Sequence, residues 1–222
     1  MPVLECSRCN ELFYSASGAT GTRCERCGGN VWRVFEDEAS FDRVAGRPRT
    51  SQPGDHLAIV YSDPEEAADF CARYVREGIG LGELVLGVLP ETLSAALERR
   101  LSGRERNQVQ LDDAANAYSD FNPRKLIAFY EGIVASAGRN VRVLAGPDGE
   151  SAASISPDDW RLYEQLLHER MHDLLVTGLC VYDGPSLPGE FMPTAMRAHP
   201  LLVRRRGELL RNPEFRYDGQ PD

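Results

Sequence analysis

Four cysteines near the start of the chain have the spacing of a metal site. Cys6 and Cys9 are separated by two residues, as are Cys24 and Cys27, and 14 residues lie between the two pairs. Two intervening residues allow a tight turn to direct both thiolates of a pair at one ion, which is typical of four-cysteine zinc sites. The pattern predicts one structural Zn2+ bound by Cys6, Cys9, Cys24 and Cys27.

Three other uses of these cysteines remain open: disulfides, a redox-active Cys-x-x-Cys pair, and iron in a rubredoxin-like site. Zinc is favoured because both pairs are present and residues 1–10 lack the apolar segment of a secretion signal. A zinc ribbon over residues 1–35 buries too little apolar surface to fold unaided, so the ion would stabilise it. Because four protein ligands close the coordination sphere, we expect this ribbon to dock protein, nucleic acid or the rest of the chain, without catalysis.

A second pattern, the zinc-protease sequence H-E-x-x-H, stands at residues 168–172. On a helix, His168 and His172 would bind zinc one turn apart, with Glu169 as the general base. The apolar stripe of the same helix consists of Trp160, Tyr163, Leu167, Met171 and Leu174. Glu169 and His172 lie away from this stripe and His168 lies at its border. We therefore interpret the stretch as a solvated helix face, and keep a zinc-dependent hydrolase as the alternative function.

The elements that would position such residues are short strands and amphipathic helices, which alternate after residue 54. The predicted strands are His56–Tyr61, Glu83–Leu89, Gln108–Leu111, Val141–Ala145, Leu179–Tyr182 and Leu201–Arg204. Helix starts are indicated at Asp63, Pro90, Asn122, Ser156 and Pro188 by capping residues or by prolines. This alternation predicts an α/β fold with a mostly parallel sheet and helices on both faces. We expect a ligand crevice beyond the carboxyl ends of the strands.

The chain therefore divides into a zinc ribbon over residues 1–35, a linker over 36–54 and an α/β domain over 55–222. The remaining cysteines, Cys71 and Cys180, fall in a predicted helix and a predicted strand. We interpret them as small buried apolar residues.

The basic residues exclude an orthodox nucleotide-binding loop. Among the 25 Lys and Arg residues, only Lys125 is a lysine, and it follows Pro123 and Arg124. A P-loop needs a Gly-Lys-Ser/Thr sequence, which the chain lacks.

The net charge of −9 lies wholly in residues 51–222, with 27 acidic and 18 basic side chains. This acidic body would repel a phosphate backbone, so nucleic acid could bind only through the zinc ribbon. No apolar run approaches the roughly 20 residues that span a bilayer. We expect a cytoplasmic protein that does not bind membranes.

Several segments of the α/β domain, in order, resemble one known family. The opening Gly54–Tyr61 leads into an Arg-Glu-Gly at residues 76–78 and a Gly-Glu at residues 82–83. The closing segments are Trp160-x2-Tyr163-Glu164, Gly178–Asp183, Ala198–Leu202 and Arg211–Phe215. Together they resemble the MEDS domain, the methanogen/methylotroph sensory domain of dichloromethane-responsive regulators, over about residues 54–217.

The resemblance implies a sensory domain of signal transduction that binds small hydrocarbon derivatives, with a RecA-like fold that has lost its phosphate loop. The positions that match the family, and that we take as candidate ligand-binding residues, are His56, Tyr61, Tyr163, Glu164, Tyr182 and Asp183; His199 matches as well. The family's acid-Met-Ser/Thr-Trp segment is replaced here by Gly146-Pro147-Asp148-Gly149-Glu150. If that segment lines the pocket, the ligand differs or is absent.

The sequence as a whole predicts a non-enzymatic sensory protein. Its degenerate RecA-like domain would bind a small molecule or a regulatory protein partner, and the zinc ribbon would make the output contact. The alternatives are the zinc-dependent hydrolase using His168, Glu169 and His172, and a pure protein-interaction adaptor whose pocket has closed.

Overall fold

The computed structural model describes residues 51–174, 176–203, 209–212 and 215, except the side chains of His172, Leu210 and Arg211. It also describes the backbone of three short strands near the start of the chain, β1 (Val3–Cys6), β2 (Leu12–Tyr14) and β3 (Trp32–Phe35).

These three strands form an antiparallel sheet in the order β2-β1-β3. Val3 pairs with Tyr14 and Phe35, and Cys6 pairs with Trp32. Cys9, Cys24 and Cys27 lie outside the described residues, and Cys6 is described only as backbone. The predicted zinc ribbon therefore stays a prediction.

A second sheet forms the centre of the α/β domain, and six of its strands are parallel. The strands are β4 (His56–Tyr61), β5 (Leu84–Leu89), β6 (Val109–Asp113), β7 (Val141–Ala145), β8 (Thr177–Asp183), β9 (Leu201–Val203) and β10 (Leu209–Arg211). Their order is β10-β9-β4-β8-β7-β5-β6, and only β10 is antiparallel to its neighbour. The predicted α/β fold with a parallel sheet is confirmed.

Eight helices occur among the described residues. They are α1 (Pro64–Leu81), α2 (Glu91–Arg100), α3 (Gly103–Arg106), α4 (Ala114–Tyr118), α5 (Pro123–Ala137), α6 (Gly149–Ser154), α7 (Pro157–Leu174) and α8 (Phe191–Ala198). None of them is long and apolar enough to cross a bilayer. The short helices α3, α4 and α6 were not predicted.

Side-chain caps begin the longer helices where the sequence indicated. The Asp63 carboxylate accepts a hydrogen bond from the Glu65 N–H at 2.9 Å, and the Asn122 side chain accepts one from the Lys125 N–H at 3.0 Å. Such caps satisfy backbone donors that have no partner inside the helix. Asp148 caps α6 in the same way, so the segment over residues 146–150 turns directly into a helix.

Helices cover both faces of the sheet, as predicted. On one face, α1 and α2 pack their buried residues, among them Cys71, Val75 and Leu97, against β4, β5 and β8. On the other face, α5, α7 and α8 pack around Trp160 and Tyr163. Each strand of the sheet's centre is therefore buried on both sides.

The side chain of Arg142, on β7, is fully buried on the α1 face. Its Nε lies 2.5 Å from Glu83, and its Nη1 lies 3.0 Å from Glu77 and 2.8 Å from the Ser51 hydroxyl. The guanidinium also lies over the Tyr74 ring, 4.5 Å from its centroid. These contacts join the start of β5 and the last part of α1 to the middle of the sheet.

We expect Arg142→Ala to lower the free energy of unfolding by about 3–5 kcal/mol, because the buried Glu83 carboxylate would lose its counter-charge. Urea denaturation followed by circular dichroism measures this loss. Arg161, whose ion pair with Asp158 is exposed, supplies the control, and Arg161→Ala should change the free energy by less than about 1 kcal/mol. Equal effects of the two substitutions would contradict this role of Arg142.

Candidate functional site

Six polar residues meet in the core on the face of the sheet covered by α7 and α8. We call them the histidine cluster: His56, Glu164, His168, Cys180, Tyr182 and His199. None of them is more than 4% exposed. The cluster contains three of the four histidines of the chain.

Strand pairing and helix periodicity bring these residues together. In the parallel pair β4–β8, Ala58 lies opposite Cys180 and Val60 opposite Tyr182. Because side chains alternate along a strand, His56 faces the same side of the sheet as Cys180 and Tyr182. Glu164 and His168 are one turn apart on α7 and therefore share a face of that helix. His199 follows α8 directly.

Two imidazole nitrogens of the histidine cluster lie close to the same carboxylate oxygen. Glu164 Oε2 lies 3.4 Å from His56 Nε2 and 3.4 Å from His199 Nε2. His56 Nε2 also lies 3.4 Å from Cys180 Sγ. The other oxygen, Glu164 Oε1, accepts a hydrogen bond from the Tyr182 hydroxyl at 2.5 Å.

The remaining contacts fix the orientation of the imidazole rings. His199 Nδ1 donates to the Ala195 carbonyl at 2.6 Å, and Asn212 donates to the His199 carbonyl at 2.8 Å. The His56 and His199 ring centroids are 4.0 Å apart, and the His168 ring stacks on His56 at 5.6 Å. The lone pair of His199 Nε2 is therefore directed at Glu164.

Burial favours the neutral form of His56, Glu164 and His199 when no cation is bound. It raises the pKa of Glu164 to about 8, against the opposing effect of the Tyr182 hydrogen bond. It lowers the pKa of His199 to about 3, although the hydrogen bond to the Ala195 carbonyl acts in the other direction. It also lowers the pKa of His56 well below its ordinary value, and the nearby His199 and His168 add to this.

The histidine cluster contains three of the six residues proposed from sequence as ligand-binding, namely His56, Glu164 and Tyr182. Tyr163 is adjacent but packs against Trp160 and Phe121, with ring centroids 5.0 and 5.5 Å away. It therefore contributes to an aromatic core rather than to the polar contacts.

Tyr61 and Asp183 pair with each other at the carboxyl ends of β4 and β8. Because successive side chains of a strand point to opposite faces, Tyr61 lies in the core on the α1 face of the sheet and not at the histidine cluster. Its hydroxyl is buried and makes no hydrogen bond with any of the described residues. Burial, assisted by Asp183, raises its pKa, so this phenol is neutral near pH 7.

The interpretation of residues 168–172 as a solvated helix face is wrong for His168, which is 3% exposed. Its ring lies between His56 and Phe215, whose centroid is 5.3 Å away. The bordering position of His168 on the apolar stripe is the signal that could have indicated burial. The side chain of His172 lies outside the described residues, so the paired zinc site of a hydrolase stays a prediction.

Cys180 is the site residue that sequence reasoning missed. It is buried, as predicted, but its sulfur contacts His56 rather than only apolar groups. The alternation of Cys180 with Tyr182 on one strand face is the signal that could have placed it beside a family-matched residue.

An apolar cavity of about 30 Å3 adjoins the histidine cluster, between α5 and α7 and above β7 and β8. Its lining includes Tyr130, Val134, Val143, Tyr163, Leu167 and Cys180. Glu131 on α5 and Arg170 on α7 also line it and form a part-exposed ion pair of 2.9 Å. This pair connects the two helices on the solvent side of the cavity.

Comparison with known proteins places a family domain over most of the chain. Residues 55–200 match the model of the MEDS family, whose description is the methanogen/methylotroph, DcmR sensory domain. No curated protein matches the chain. The matched range contains five of the strands of the parallel sheet and the whole of the histidine cluster.

We expect Tyr182→Phe to lower the free energy of unfolding by about 1–3 kcal/mol, because Glu164 Oε1 would lose its donor inside the core. Chemical denaturation measures the change. Tyr61→Phe is the matched control, since Tyr61 lies on the neighbouring strand and its hydroxyl donates to none of the described residues; it should be close to neutral. A loss for Tyr61→Phe as large as that for Tyr182→Phe would contradict the prediction.

Proposed function

The chain belongs to the MEDS family of sensory domains, and we propose on this premise that its α/β domain senses a small, largely apolar molecule without catalysing a reaction. The observation that carries the proposal is the apolar cavity between α5 and α7. Apolar cavities of this kind take up small apolar ligands, because burial removes apolar surface of both partners from water.

The size of the cavity limits the ligand. A cavity of about 150 Å3 accommodates benzene, whereas this one measures about 30 Å3. Binding of even a small hydrocarbon derivative would therefore move α5 away from α7. The ion pair between Glu131 and Arg170 is the polar link across this contact, and its part-exposed position means that it opposes the movement by no more than about 1 kcal/mol.

The position of α7 connects such a movement to the rest of the domain. Glu164 and His168 of the histidine cluster lie on α7, and α7 also packs against α8. A displacement of α7 would therefore change the contacts of His199 at the end of α8. We propose that this rearrangement is read by a regulatory protein partner, with the zinc ribbon over residues 1–35 as the contacting module.

The proposal includes a RecA-like domain that has lost nucleotide hydrolysis. Its supports are the parallel sheet with helices on both faces and the lack of a Gly-Lys-Ser/Thr sequence. Lys125, the only lysine, stands in the first turn of α5. The expectations of a cytoplasmic location and of no nucleic-acid contact by the acidic α/β domain are part of the same proposal.

Filling the cavity should abolish ligand binding. We expect dichloromethane, methanol or another one- to three-carbon probe at about ten times its Kd to stabilise the protein by about 1.4 kcal/mol, which raises Tm by about 3–6 °C. In Val134→Phe the added ring would occupy the cavity, and this rise should disappear. Thermal denaturation in sealed cells, with and without each probe, measures the difference.

Ala135→Phe is the control, because Ala135 is exposed on the same helix and the substitution should leave the rise intact. The same rise in Val134→Phe would place the ligand elsewhere. Hydrolysis of ATP or GTP by the purified chain above background would contradict the non-enzymatic part of the proposal.

The zinc ribbon is tested by its metal content. We expect Cys24→Ser to lower the zinc content by one ion per chain, because three thiolates bind zinc more weakly than four. Elemental analysis of the purified protein measures this loss, and Cys71→Ala, at a buried cysteine of α1, should cause none. Iron in place of zinc would indicate the rubredoxin-like alternative. If a count of free thiols in the denatured, non-reduced protein falls four short of the six cysteines, the four cysteines form disulfides.

A further inference from the structure

We propose that His56, Glu164, Cys180 and His199 bind a divalent transition-metal ion, with Zn2+ as the probe, inside the α/β domain. The site is distinct from the four-cysteine pattern of residues 1–35 and does not depend on the sensory role. Each residue offers one ligand atom, and these four atoms lie within 4.8 Å of one another. Two imidazoles, one carboxylate and one thiolate make up a ligand set that zinc accepts.

Three of the six separations between the ligand atoms match those of atoms that share one ion, and all six are within 4.8 Å. Glu164 Oε2 lies 3.4 Å from the Nε2 atoms of both His56 and His199, and His56 Nε2 lies 3.4 Å from Cys180 Sγ. Ligand atoms on a tetrahedral zinc ion are separated by about 3.3–3.7 Å, as follows from bonds of about 2.0–2.3 Å. Hydrogen bonds between nitrogen and oxygen measure about 2.7–3.2 Å.

The lone pairs of the ligand atoms are directed into the cluster. His199 Nδ1 donates to the Ala195 carbonyl, so its Nε2 carries the lone pair. Tyr182 donates to Glu164 Oε1, which leaves Oε2 for another partner. Neither Glu164 Oε2 nor His199 Nε2 has a hydrogen-bond partner among the described residues. Polar atoms without a partner are rare in a core, because each one loses its hydration without compensation.

The contacts behind two of these ligands, His199 and Glu164, are those that metal sites use to orient them. A metal-bound histidine typically donates its other N–H to a carbonyl or carboxylate, and a metal-bound carboxylate is typically hydrogen-bonded itself. The Ala195 carbonyl serves His199 in this way, and the Tyr182 hydroxyl serves Glu164. Asn212 donates to the His199 carbonyl and so holds the residue that follows α8 in place.

The charge of the ligand set balances a divalent ion. The Glu164 carboxylate and the Cys180 thiolate carry one negative charge each, and the two imidazoles are neutral. With a divalent cation the site is neutral overall, which is the condition for burying ionised groups in a core. Coordination deprotonates the thiol and the carboxyl group, and both protons are released to solvent.

The chemistry of the donors favours a transition metal over Mg2+ or Ca2+. Those two ions prefer sites built wholly of oxygen ligands, whereas this one offers two nitrogens and a sulfur. The side chains of His56, Glu164 and His199 have no exposed surface, so the ion would enter as the chain folds. It would then connect β4 and β8 to α7 and to the segment that joins α8 to β9.

The experiment counts ions per chain in the full-length protein after refolding with Zn2+. The four-cysteine site is removed by changing Cys6, Cys9, Cys24 and Cys27 to serine. That variant should retain one zinc per chain, and Glu164→Gln or Cys180→Ala in the same background should lower its content about tenfold or more. Cys71→Ala is the matched control for Cys180→Ala and should retain the ion. Elemental analysis of the dialysed protein measures each value.

Glu164→Gln separates a metal site from a merely structural network. Glutamine has the size of a protonated glutamic acid and can still accept from Tyr182, so the variant is expected to fold. If the cluster binds metal, refolding in EDTA instead of Zn2+ should lower the Tm of the background variant, which lacks the four N-terminal cysteines, by about 10 °C. The same treatment should leave the Tm of Glu164→Gln in that background unchanged.

Cobalt supplies a second readout. With Co2+ in place of Zn2+, the background variant should show a thiolate-to-metal charge-transfer band that Cys180→Ala lacks. Three results would overturn the proposal: the background variant refolds in the presence of Zn2+ but contains no zinc, Glu164→Gln retains the ion, or refolding in EDTA has no effect on the Tm of the background variant. Since the metal count needs no sensed ligand, a failure of the sensory proposal would leave these results unaffected.

Discussion

The contact between α7 and β8 is the interaction on which the other features of the α/β domain depend. Met171 lies directly over Gly178, where a Cβ atom would stand 2.1 Å from the methionine methyl carbon. Glycine at this position therefore allows the helix to approach the sheet closely. Two turns before Met171 on the buried face of the helix, Glu164 reaches Tyr182, and Leu167, Met171 and Leu174 form part of the wall of the apolar cavity. Both the candidate sites are thus consequences of one packing contact.

The two faces of the sheet bury charge-bearing groups in different ways. On the α1 face, Nε and Nη1 of the Arg142 guanidinium have two carboxylates and a hydroxyl within hydrogen-bond distance, so the positive charge is balanced within the protein. On the α7 face, one Glu164 oxygen is paired with Tyr182 and the other faces two imidazoles. Buried ion pairs of the first kind have a structural role. A buried cluster of the second kind, in which polar atoms have no partner, is typical of a site that binds a ligand or an ion.

Local signals predicted the elements well where a cap or a strong pattern was present. The strands His56–Tyr61 and Val141–Ala145 were predicted to the residue, as were the caps Asp63 and Asn122. Helix ends were less evident than helix starts: α1 continues through Gly78 and Gly80, and the left-handed residue that follows it is Gly82. The helices α3, α4 and α6 were missed because four to six residues carry too little periodicity to detect.

The sequence by itself determined the alternation of strands and helices, their caps, the lack of a phosphate-binding lysine and the family of the domain. Only the tertiary structure decided which of the candidate residues meet. His56 and Cys180 are 124 residues apart, and they touch because β8 lies beside β4 in the sheet. Tyr61 and Asp183 lie on the same two strands but are directed away from the histidine cluster. The order of the strands depends on contacts between distant parts of the chain. Alternation along a strand assigns each side chain to one face of the sheet, but only the strand order decides which side chains of other strands it meets there.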